Sequence, residues 1–75
     1  MNKLPNKTAH GEKIIAIIYC TEKQVNGLQF LKYSHVDNSE MGLKTFINFA
    51  KKFPGAKHVN FYNRKTTMFI EQYKF

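Results

Sequence analysis

Only one stretch of this chain, Asp37 to Gly55 (DNSEMGLKTFINFAKKFPG), has a helical start signal, a helical period and a stop signal in agreement. Leu43, Phe46, Ile47, Ala50 and Phe53 recur at spacings of three and four, which places them on one stripe of an amphipathic helix. Asp37 with Glu40 three residues on has capping-box spacing and predicts the N-cap. Pro54-Gly55 ends the helix by removing a donor and permitting a left-handed turn. A single stripe of this kind must be covered by other elements. With 75 residues there is material for one sheet and little more, because a chain of this size buries only about 60 to 65% of its unfolded surface. One domain follows, with no cleft between lobes, so an enzyme built on it would need an open, shallow site.

The remaining segments read as strands. Lys13 to Cys20 (KIIAIIYC) is a continuous apolar run rich in β-branched residues, which predicts a central strand covered on both faces. Asn26-Gly27, between Val25 and Leu28, predicts a two-residue type I′ hairpin turn; a wider loop from Thr21 to Gly27 is the alternative. Leu28 to about Val36 would then return as the second strand. A second hairpin, Ala56 to Asn63 with Thr66 to Tyr73, can turn at Arg64-Lys65 or over Asn63 to Thr66, and both loops give one register. In that register Val59 faces Ile70 and Phe61 faces Met68, an apolar side suited to the helix. The expected fold is α+β: ββαββ, a four-stranded, mostly antiparallel sheet with one amphipathic helix on one face. Its strand order is open. Residues 1–11 read as a flexible basic tail ahead of a single domain over residues 12–75.

The other side of that hairpin carries His58, Asn60, Tyr62, Thr67, Phe69, Glu71 and Tyr73, with Arg64 near the tip, His58 opposite Glu71 and Asn60 opposite Phe69. With one helix available, this face has no internal cover. Rings that can stack on bases or fill pockets, mixed with groups that orient a partner, are what a recognition face needs. Cross-strand aromatics also support sheets without binding anything.

Charge narrows the partner. Twelve Lys and Arg against five Asp and Glu give +7, of which residues 1–40 contribute +1 (five Lys, four acids) and residues 41–75 contribute +6 (six Lys, Arg64, one acid). A one-sided basic balance points to nucleic acid or an acidic protein surface; the plainer reading is a lysine-rich face kept in water. Lys44, Lys51 and Lys52 lie off the apolar stripe, the last two where a helix dipole favours cations, and Lys65, with Lys57, marks a strand end. The candidate binding set is therefore His58, Asn60, Tyr62, Arg64, Lys65, Phe69, Glu71, Tyr73, Lys44, Lys51 and Lys52.

Motifs for chemistry are sparse. Cys20 is the only cysteine, which excludes an internal disulfide and suggests a reducing, cytoplasmic setting. No apolar run approaches the roughly 18 residues of a membrane span, and the N-terminus lacks an apolar signal core. His10, His35 and His58 are more than twenty residues apart, so neither metal nor cofactor is expected. One catalytic constellation survives: His58 and Glu71 as acid and base, with Arg64 and Tyr62, for metal-free RNA cleavage. Three function classes follow. The first is a small nucleic-acid binder, monomeric or homodimeric, and the second a compact interaction module or inhibitor of phage or mobile-element type. The third is a small ribonuclease. No family signature is apparent.

Overall fold

A computed structural model describes residues 13–75; the tail expected over residues 1–11 lies outside them. The elements are β1 (Lys13–Cys20), β2 (Phe30–Asp37), α1 (Glu40–Ala50), β3 (Ala56–Asn63) and β4 (Phe69–Lys74). They form one sheet of order β2-β1-β3-β4, antiparallel at every junction. This is the expected ββαββ fold with β1 inside the sheet. Because β2 and β3 both run antiparallel to β1, they are parallel to each other, and α1 carries the chain over β1 in a split β-α-β unit.

The helix buries most of the stripe its sequence announces but ends at Ala50, so Phe53 and the expected Pro54-Gly55 stop lie in the turn beyond it. Leu43, Phe46 and Ala50 are buried, with Ile47 and Phe53 packed at the margin. The sheet meets them with Ile14, Ala16, Ile18 and Cys20 from β1, Leu31 and Val36 from β2, Val59 and Phe61 from β3, and Ile70 from β4. Phe49, beside the stripe, joins an edge-packed group with Tyr33, Phe46 and Phe53 at centroid distances of 5.1 to 5.7 Å. The start of the helix differs from expectation. Ser39 is the N-cap, its Oγ accepting from the Gly42 amide at 3.1 Å, while Asp37 ends β2 and pairs with Lys13. The helix begins two to three residues after the expected cap because the strand ladder claims Asp37 first.

The first connection is the wider loop. Asn26 does not have the positive φ that a type I′ turn requires of both central residues; only Gly27 does, at 78°. Asn26 instead bridges its own loop, accepting from the Leu28 amide at 3.0 Å and donating to the Phe30 carbonyl at 2.8 Å. The loop is fastened to the helix exit, with Thr21 N–H donating to the Gly55 carbonyl at 2.8 Å and Gln24 Nε2 to Pro54 at 3.0 Å. Gly55 is required there twice over. Its φ is 72°, and a Cβ would stand 2.3 Å from Thr21 Oγ1.

The second hairpin departs from the expected register in two steps. Its loop is Arg64 to Thr67, two residues wider than the Arg64-Lys65 turn and one residue later than the four-residue alternative: the Asn63 and Met68 backbones close it at 2.8 Å, and Asn63 Oδ1 accepts from the Lys65 and Thr66 amides. An even shift keeps each side chain on its face but changes its partner, so Tyr62 meets Phe69 across the outer side where Thr67 was expected. Then a bulge at Ile70 inserts one unpaired residue, and beyond it the faces exchange. Phe61 pairs with Glu71 and Val59 with Tyr73, while Asn60 pairs with Gln72 and His58 with Lys74. Met68, expected opposite Phe61 in the core, lies in the turn and is 68% exposed.

Candidate functional site

On the sheet face away from α1, register aligns the side chains in three transverse rows, since directly opposed antiparallel residues share a face. Phe30, Tyr19, His58 and Lys74 make the first row, from β2 to β4. Lys32, Ile17, Asn60 and Gln72 make the second. Ile15, Tyr62 and Phe69 make the third. No described element packs over these rows, and they contain no carboxylate.

The rows are ordered by contacts between side chains. Tyr19 stacks on His58 with centroids 4.8 Å apart, and Phe30 leans on Tyr19 at 6.3 Å. At the opposite end Tyr62 and Phe69 meet edge to face at 5.9 Å. Between them a polar chain crosses the sheet: Gln72 Nε2 donates to Asn60 Oδ1 at 2.8 Å, and Asn60 Nδ2 donates to Tyr62 Oη at 3.1 Å. Partial burial raises the Tyr19 phenol pKa above its ordinary value, and the nearby Tyr62 hydroxyl raises it further. Burial likewise lowers the His58 pKa, with repulsion from Lys57 and Lys74 adding to it. His58 therefore favours its neutral form on this face.

The candidate binding residues divide. His58, Asn60, Tyr62 and Phe69 come together on the outer face, with Arg64 and Lys65 in the turn beyond its Tyr62–Phe69 end. Glu71 and Tyr73 share the helix side with Phe61 and Val59, and Lys44, Lys51 and Lys52 lie on α1 and its exit, across the sheet from the aromatic rows. The expected pairs His58–Glu71 and Asn60–Phe69 do not form, because the turn shifts β4 by two residues, which sets Phe69 opposite Tyr62, and the Ile70 bulge adds one more, which sets Glu71 opposite Phe61.

Tyr19, Phe30, Lys32, Gln72 and Lys74 belong to the face and were not selected by sequence reasoning. The period-two set Ile15, Ile17, Tyr19 was visible in KIIAIIYC, but only the strand order reveals that no described element covers it. A concavity of about 820 Å³ lies between β2 and α1, lined by Tyr33, His35, Met41, Phe46 and Phe49 among others, and contains none of the candidate residues. Among the described residues no three His, Cys, Asp or Glu side chains converge as metal ligands, and no helix is long and apolar enough to cross a membrane. Cys20 faces the core, where burial, followed by the nearby Glu22, raises its pKa and keeps the thiol protonated. Comparison with protein-family models, with curated proteins and with solved structures gives no match.

Proposed function

We propose that the outer sheet face binds nucleic acid without cleaving it. The observation that carries this reading is the composition of the three rows: aromatic rings at both ends, amides between them, Lys32 and Lys74 on the face, and no carboxylate. Rings offer stacking surfaces to any base, and cations offer phosphate contacts whose strength comes from released counterions. Arg64 and Lys65 add cations beyond the Tyr62–Phe69 end. Cleavage is not part of the proposal, since Glu71, the intended partner of His58, lies on the helix side.

The test is fluorescence anisotropy of a labelled single-stranded oligonucleotide across a salt series. Tyr62→Ala or Phe69→Ala should each weaken binding by about 1 to 3 kcal/mol, and Lys32→Ala with Lys74→Ala should reduce the salt slope by about 2. Absence of binding at low salt would end this reading.

One observation favours a second. Half-buried Ile17 sits in the middle of the face, and an aliphatic side chain suits a protein partner better than a base. An interaction module of that kind would hold one stoichiometric partner after nuclease treatment and release it on Ile17→Glu.

A further inference from the structure

Gln72 is one of the amides of the outer face to which the nucleic-acid reading gives no specific contact, yet it is held in place. It is exposed on edge strand β4, and one of its amide N–H groups donates to Asn60 Oδ1 at 2.8 Å. Asn60 is fixed in turn through Tyr62 Oη. Among the described residues the Gln72 carbonyl and its second N–H have no partner, so an acceptor and a donor stand side by side at the surface. On the same strand and face, Phe69 offers a ring that is 53% exposed and steadied by Tyr62, and Lys74 offers a cation.

These groups are spaced for an unstacked strand. Rows two residues apart lie about 6.6 Å from each other along a strand. That is about twice the 3.4 Å separating stacked bases in a duplex, so a base lying on Phe69 and reaching the next row with its edge leaves no room there for a stacked neighbour. A ring that stacks also needs a base whose face is open, which a duplex interior does not offer.

Resting on the reading above, we propose that this site takes single-stranded nucleic acid and selects adenine, with the base stacked on Phe69, its N6 and N7 edge paired to the free carbonyl and N–H of Gln72, and its phosphate beside Lys74. A side-chain amide matches adenine in this two-bonded way, N6 donating to the carbonyl and N7 accepting from the N–H. Asn60 acts as a positioning residue, since it reaches the base only through Gln72.

The experiment measures anisotropy of labelled oligo-dA, oligo-dT and oligo-dC of about twelve nucleotides, and of the dA·dT duplex, with the full chain. Wild type should bind oligo-dA about tenfold tighter than the other two single strands, and the duplex more weakly than any of them. Gln72→Ala should bring oligo-dA to the level of oligo-dT and oligo-dC, with a far smaller change for those two than for oligo-dA. Phe69→Ala should weaken all three. Because Gln72 is exposed, its variant should melt at the wild-type temperature. Equal binding of the three strands, binding of duplex as tight as single strand, or an adenine preference that persists in Gln72→Ala would overturn the adenine assignment while leaving nucleic-acid binding intact. No binding to any probe would overturn both.

Discussion

Three consecutive residues, Asp37, Asn38 and Ser39, all have side chains able to cap a helix, and the choice among them is made by what surrounds each one. Asp37 continues the β1–β2 ladder and pairs with Lys13, Asn38 is 1% exposed beneath the strand end, and Ser39 is left to accept from Gly42. Capping-box spacing identified the right neighbourhood, but not the residue, because the extent of β2 is a pairing property absent from local spacing. Ser39→Ala should therefore cost about 1 kcal/mol in denaturant titration, and Asp37→Ala less, since a half-exposed ion pair contributes about 0 to 1 kcal/mol. The reverse ranking would return the cap to Asp37. His58 makes a second claim at this scale. Its pKa is lowered by burial and then by Lys57 and Lys74, so near the acid side the unfolded chain binds the proton more readily than the native one. Stability from this group is complete above the ordinary value of 6.5 and declines as pH falls from there through the depressed native value. Melting temperature followed from pH 7 downward should fall less steeply in His58→Gln than in wild type; parallel curves would show that His58 titrates alike in both states.

At the scale of elements, β1 and β3 were legible to their ends, because a continuous apolar run and the alternation of Val59 and Phe61 leave little choice of period. The helix stripe was legible for the same reason. What the sequence did not disclose was the Ile70 bulge. Nothing in TTMFIEQYK marks it locally; it forms where a wider turn and a buried Ile70 both have to be satisfied, and it decides that Gln72 and Lys74 rather than Glu71 and Tyr73 reach the outer face. The facing of the hairpin residues thus follows the sequence pattern up to Phe69 and is exchanged after it. Truncation of core side chains tests this register. Ile70→Ala should cost about 2 to 5 kcal/mol and Phe61→Ala about 3 to 5, whereas Met68→Ala should stay within about 0.5. Tyr62→Ala, half-buried on the outer side, should cost much less than Phe61→Ala. A large loss at Met68 would place it back inside and remove the bulge.

For the molecule as a whole, charge links stability to binding. A net charge of +7 on 75 residues is accompanied by only one ion pair among the described residues, Lys13–Asp37, so repulsion exceeds attraction across the fold. The β3–β4 hairpin and its turn concentrate this effect, with Lys57, Arg64, Lys65 and Lys74 set against Glu71 alone. Screening lengths fall from about 30 Å at 0.01 M salt to about 10 Å at 0.1 M, enough to quiet repulsion between separated lysines. Raising sodium chloride over that range should therefore raise the melting temperature of the free protein. A bound polyanion acts in the opposite sense, because it neutralises the same cations and stabilises only the folded face, most strongly at low salt where its affinity is greatest. The melting temperature with excess oligonucleotide should start well above that of the free protein and converge on it as salt increases. Two rising curves that never separate would mean that the cations serve solubility alone. A free-protein curve that falls with salt would mean instead that attractive pairs outweigh the repulsion, and that the positive face is balanced internally rather than by a partner.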